Sequence, residues 1–286
     1  MKISKITVSV FFSAFLIGYV SVPQTKQVSA PIATVNITTQ YLPLARNETK
    51  FEPEIFDIID VWENEGKFKI KLVDIAEHGI FFRKDEVIAK SGESWLGLFK
   101  ENEQYVLRRT TVKIKQERKL SYEKESYVRM KFGNKSEPVF LLKNAKKLKE
   151  GEVKTLYRHP SQEEREQFEI EPPSLKQGFI RQFQLGDKKY TLRVKGGLTK
   201  SNEISLALIL ETENTSQVIH VVYGEPGNVV GDLLWVGDLD RDGKLDLYMD
   251  FYNYEKGSFG SGLFLSSEAK KGQIVKQAAY FGTAGC

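Results

Sequence analysis

The strongest constraint on the fold is a period-two alternation that runs through the chain from about position 53 onward. In "KFKIKLVDI", Phe68, Ile70 and Leu72 fall on one side and Lys67, Lys69 and Lys71 on the other. Successive side chains of a strand point to opposite faces, so such a segment buries one face and wets the other. "TVKIKQE", "SYVRMKFG", "KKYTLRVKGG" and "EISLALILETE" repeat the pattern, each bounded by glycine, asparagine or charged residues that suit turns. Helical periodicity is confined to short stretches around residues 142–152 and 161–168. The expectation is a mainly β protein.

Residues 157–178, "YRHPSQEEREQFEIEPPSLKQG", break the alternation with charge and three prolines. They suggest a linker at 157–175 between an N-terminal β-rich domain, 31–156, and a C-terminal antiparallel one, 176–286.

The first thirty residues carry Lys2, Lys5 and Lys26 and no acid, an apolar run over positions 6–22, and "VSA" ending at Ala30. This is the order of a signal peptide, and it points to an extracytoplasmic protein, periplasmic or secreted. An uncleaved N-terminal membrane anchor is the competing reading, because the run is nearly long enough for a tilted span and Pro31 follows the cleavage-like site. Loss of the segment would leave 39 basic against 38 acidic residues, so the mature chain would be near neutral. The single cysteine, Cys286, cannot form an internal disulfide and is not fourth from the end as prenylation requires.

Charge is uneven. Residues 108–135 hold ten basic and three acidic side chains. Such a stretch is either a patch for an anionic partner or the wet face of strands, since its lysines alternate with Val112, Ile114, Val128 and Met130. No nucleic-acid-binding motif accompanies it, and nucleic acid is not expected as a partner.

Aspartates recur in "VGDLDRDGKLDLYMDFYNYE", positions 236–255, at Asp238, Asp240, Asp242 and Asp246, with Gly243 among them. Counted from Asp238 these are positions 1, 3, 5 and 9, with glycine at 6. In a tight loop the odd-numbered side chains converge, and glycine permits the left-handed turn that wraps the chain around the centre. Hard oxygen donors suit Ca2+, with the Lys244 carbonyl at position 7 as a further ligand. Without a cation two carboxylates about 4 Å apart repel by roughly 4 kcal/mol at intermediate dielectric. An EF-hand would need a bidentate acid at position 12, where Met249 stands, and flanking helices where strand-like "DLLWVG" and "LDLYMDFYNY" occur.

The segment resembles the calcium loop of FG-GAP repeats, the modules of integrin α-chain propellers and of many bacterial exported proteins. Gly237, Asp238, Leu239, Asp240, Asp242, Gly243, Leu245, Asp246 and Leu247 carry the likeness. It implies calcium held by the four aspartates and one carbonyl. There is no second copy of the loop, and a propeller needs several blades, so a full propeller is not expected. More loosely, "GESWLGLFKENEQYVLRRTTVKI", positions 92–114, is similar to a group of exported bacterial proteins.

Catalytic signatures are absent: there is no His-Glu-x-x-His, Gly-x-Ser-x-Gly or phosphate loop, and His78, His159 and His220 lack a partner motif. Calcium as a structural staple is the reading, in an exported protein that binds a glycan or an envelope protein without catalysing a reaction. Parity after the loop puts Leu245, Leu247, Met249 and Phe251 on one face, read as core. Tyr248, Asp250, Tyr252 and Tyr254 lie on the other, a candidate ligand face. That second face supports an alternative, a carbohydrate-active enzyme using carboxylates such as Asp250 and Glu255.

Overall fold

The computed structural model describes residues 39–41, 68–75, 81–84, 87–101, 104–116, 127–134, 136–160, 167, 174–198, 204–224, 230–253 and 258–283. Among these residues the elements are sixteen strands and one 3-10 turn, Ser266–Glu268. All strand pairs are antiparallel. A five-stranded sheet runs in the order β1 (Thr39–Tyr41), β9 (Phe179–Leu185), β10 (Lys188–Leu198), β11 (Ile204–Glu211), β12 (Ser216–Gly224).

The second sheet has eleven strands. Its path runs β16 (Lys276–Thr283), β15 (Ser258–Leu265), β14 (Asp246–Asn253), β13 (Gly231–Asp238), β8 (Gly151–Arg158), β5 (Gln104–Gln116), β4 (Ser94–Glu101), β7 (Pro138–Lys143), β2 (Lys71–Asp74). The far half of β5 also pairs with β6 (Tyr127–Phe132), which carries β3 (Phe81–Arg83). β16 packs beside β2, so this sheet curls into a nearly closed barrel. The chain is mainly β and antiparallel, as the alternation requires, and it is not a propeller.

Two cores follow from the curl. Inside the barrel, Leu72, Trp95, Leu107, Met130 and Phe140 meet Trp235, Tyr248, Leu263, Ala279 and Phe281. On the outside of β13 to β16, Leu233, Val236, Leu247, Met249 and Phe251 pack with Phe179, Phe183, Leu192 and Leu208 of the five-stranded sheet. β13 and β14 are therefore buried on both faces, which is why their sequences carry apolar residues at even and odd positions. A register shift between Leu233 and Trp235 gives β13 one extra residue, and Leu234 and Trp235 then both join the barrel core.

Residues 142–152 are not helical. Leu142 continues the pairing of β7 with β2 and β4, Asn144 takes a left-handed conformation (φ 66°), and β8 begins at Gly151. After residue 175 the chain first forms the five-stranded sheet, β9 to β12 with β1, and then returns in β13 to β16 to the sheet of β8, so that one core contains Leu72 and Phe281 alike. All described strands belong to one compact unit, Asn36–Cys286. Where it occurs, the alternation identifies a strand's buried face but carries no information on which strand lies beside it. Residues 1–30, Cys286 and most of 161–173 lie outside the described residues.

Candidate metal centre

The acidic loop connects β13 to β14, with Gly237 opposite Asp246 where the two strands part. Gly243 has φ 76°, the left-handed turn expected of it. Arg241 is also left-handed, at φ 62°, a conformation that disfavours a long side chain by about 1–2 kcal/mol. Its guanidinium holds it there: Nε donates to the Glu152 carbonyl at 2.7 Å and Nη2 to the Lys149 carbonyl at 3.1 Å. The loop is thereby fastened to the start of β8.

Backbone amides fix the carboxylates. Asp246 is fully buried; its Oδ2 accepts from Leu239 N at 2.7 Å and its Oδ1 from Ser266 N at 2.8 Å. Asp238 Oδ2 accepts from Gly243 N at 3.1 Å, and Asp240 Oδ1 from Asp242 N at 3.2 Å. The two remaining oxygens, Asp238 Oδ1 and Asp240 Oδ2, are shielded from solvent and have no hydrogen-bond partner. One carboxylate oxygen from each of Asp238, Asp240 and Asp246 lies within 4.8 Å of the other two.

Charge in this space is unfavourable by itself. Burial, then the neighbouring charge of Asp240, pushes Asp246 up to about 8, against the pull of its two amide donors. Burial is also the main cause that raises Asp238, followed after its Gly243 bond by charge on Asp242 and Asp240. Three carboxylates, two of them with a shielded, unpartnered oxygen, form a group that could hold a metal ion. A groove of about 470 Å³ lined by Gln104, Tyr105, Lys154, Asp238 and Arg241 among others offers an approach from solvent.

Of the five expected ligands, the structure brings Asp238, Asp240 and Asp246 together. Asp242 lies outside the group: its Oδ1 accepts from Lys244 N at 2.9 Å and from Ser266 Oγ at 3.0 Å, so it braces the loop. The Lys244 ammonium sits 3.5 Å from the same carboxylate. Ser266 and Arg241 were not legible as site residues; Ser266 reaches the loop from the 3-10 turn after β15, and no spacing rule connects it to Asp246.

The comparisons find nothing: no protein-family model, curated protein or solved structure matches this chain.

The face proposed for a ligand is interior where it is described. Leu245, Leu247, Met249 and Phe251 are core, as expected, but Tyr248 is also fully buried, its ring edge-on to Phe140 with centroids 4.7 Å apart. Asp250 is 3% exposed. Across the barrel interior Ser261 Oγ donates to Asp74 Oδ2 and lies 3.5 Å from Asp250 Oδ1. Burial, with charge on Asp74 and then Asp250, pushes the Tyr248 hydroxyl well above the ordinary phenol range. The side chain of Tyr252, and Tyr254 and Glu255 entirely, lie outside the described residues. His159 and His220 are buried, His220 against Phe251 at 4.5 Å, and His78 lies outside the described residues.

Proposed function

We propose that the loop binds one Ca2+, in the manner of the FG-GAP loop it resembles, as a structural staple. The protein around it would be exported and non-enzymatic, with a binding or adhesive role at the cell envelope. The observation that carries the metal reading is the pair of shielded, unpartnered oxygens, Asp238 Oδ1 and Asp240 Oδ2, beside fully buried Asp246. An all-oxygen donor set of carboxylates favours a hard cation, and an irregular loop suits the flexible coordination of Ca2+ better than the strict octahedron of Mg2+. Export rests on the leader-like residues 1–30. For the alternative, a carbohydrate-active enzyme, Asp250 is buried and so poorly placed to meet a sugar, while Glu255 lies outside the described residues.

Calorimetric titration and thermal melts of the purified protein test the reading. One Ca2+ should bind per chain, Mg2+ should bind far more weakly, and Ca2+ at a hundred times Kd should stabilise by about 2.7 kcal/mol. Asp240→Ala should abolish binding, whereas Asp242→Ala, removing a brace, should weaken it roughly 10–100-fold. No heat of binding and no change in melting temperature with chelator would refute the site.

A further inference from the structure

β5 carries basic residues in two settings. Where it runs beside β4, they are neutralised: Arg108 Nη2 lies 2.8 Å from Glu101 Oε2 and Arg109 Nε lies 3.0 Å from Glu150 Oε1. Where it runs beside β6, they face other cations: Lys113 is directly opposite Lys131, and Lys115 directly opposite Arg129. Residues opposed in an antiparallel pair share a face with Cβ atoms about 5 Å apart, and residues two apart along a strand are separated by about 7 Å. Four cationic side chains thus occupy a single small array.

The array is imposed by the core beneath it. Val112, Val128 and Met130 are buried on the opposite face, so a register slip that separated the lysines would expose all three. Lys113, Lys115 and Lys131 are exposed, and among the described residues no carboxylate pairs with them. A wet strand face requires only polar side chains. Like charges in direct cross-strand register destabilise the sheet, so solvation alone gives no reason for this arrangement.

We propose that this face of β5 and β6 is a docking surface for a linear anionic polysaccharide, whose carboxylate or sulfate groups supply countercharge to Lys113, Lys115 and Lys131. Tyr127, two residues before Arg129, places one partly exposed ring on the same face, suited to packing against a sugar. The only exposed large aliphatic or aromatic side chain among the described residues is Ile88, so the described part of the array lacks the apolar anchor of a bilayer-binding surface. Among the described side chains of this face, a single ring also falls short of the successive stacking platforms that grip single-stranded nucleic acid. The surface is separate from the acidic loop, and its partner binds with or without a metal there.

The test is equilibrium binding of heparin to the purified protein across a salt series, in calcium and again in chelator. Heparin should bind in both, and neutral dextran in neither. Lys113→Gln/Lys131→Gln should weaken binding roughly ten- to thirtyfold at about 0.15 M salt and lower the log–log salt slope by roughly 1.5. The same variant should melt at a higher temperature than the parent, because it removes an opposed like-charge pair; a merely disruptive change would lower it. Lys270→Gln/Lys271→Gln, equal in charge and exposed elsewhere, should leave affinity unchanged. The proposal is overturned if heparin does not bind, if the first variant binds as the parent does, or if both variants lose affinity equally. Tighter binding to phosphatidylserine vesicles or to a single-stranded oligonucleotide than to heparin also overturns it.

Discussion

Removing the cation should make stability depend on pH in a direction opposite to ordinary acid denaturation. In the metal-free loop Asp246 is pushed from 3.8 to about 8, so between those values the folded state holds a proton that the unfolded chain has released. Stability is then full below about 4, falls as pH rises, and is flat again above about 8. At about 1.36 kcal/mol per pH unit the whole fall is on the order of 5 kcal/mol, a large part of the 5–15 kcal/mol that typically holds a domain together. Asp238, also raised, adds a fall of the same sign. Glu93, lowered to about 2 chiefly by Lys143, contributes stability above its ordinary 4.5 and loses it only as pH falls toward 2, which separates it from this window.

Urea midpoints from pH 4 to 9, in chelator and in saturating Ca2+, provide the assay. Chelated protein should lose stability from pH 4 to about 8 and then level off. Calcium, bound to the ionised carboxylates as proposed, should remove or reverse the slope. Asp246→Asn should remove most of the slope in chelator, leaving the share that Asp238 contributes, and should abolish the calcium response. It should also be less stable at pH 4, because an amide cannot accept from both Leu239 N and Ser266 N. A chelated protein whose stability does not change between pH 4 and 8, or changes identically with calcium, would refute the account of a charge-crowded buried site.

Two further substitutions address the frame around the loop. A Cβ on Gly237 would stand 2.2 Å from the Lys154 carbonyl and 2.5 Å from the Trp235 ring, so Gly237→Ala should force β13 from β8. It should lower the denaturant midpoint by an amount equivalent to about 3 kcal/mol or more and weaken calcium binding with it. Ser261→Ala removes a donor from buried Asp74 across the barrel and should cost about 1–3 kcal/mol by chemical denaturation while leaving calcium affinity unchanged.

The parts of the site legible in the sequence are those set by local geometry. Gly243 was readable as left-handed because glycine alone takes that conformation freely, and Asp238, Asp240 and Asp246 because odd positions of a tight loop converge. Asp242 satisfies the same rule, yet its carboxylate turns to Ser266 Oγ, a partner 24 residues further on that no local pattern announces. Parity correctly separated Leu247, Met249 and Phe251 from Tyr248 and Asp250. It could not say that both faces are interior, because that depends on the barrel curling over one side and the five-stranded sheet covering the other. The stretch 142–152 misled for a related reason: spacing of apolar residues matched a helix, while strand pairing and a left-handed Asn144 decided otherwise.

The loop touches four strands in the order they occur across the sheet. Arg241 holds β8, Asp238 ends β13, Asp246 begins β14, and Ser266 follows β15. A cation at the three carboxylates would convert mutual repulsion at that corner into attraction shared by all four strand ends, whereas the empty, ionised loop strains the same corner. The Lys113 and Lys131 array at the far half of β5 poses the opposite problem, repulsion that faces solvent. The two differ in their response to salt. Exposed charges are screened over about 8 Å at physiological ionic strength, while buried ones are screened far less. Simple salt therefore relieves the basic face and would compete with the proposed polyanion, but it would not replace a cation held in the acidic loop. Only a hard ion that enters the shielded space beside Asp238 and Asp240 can do that.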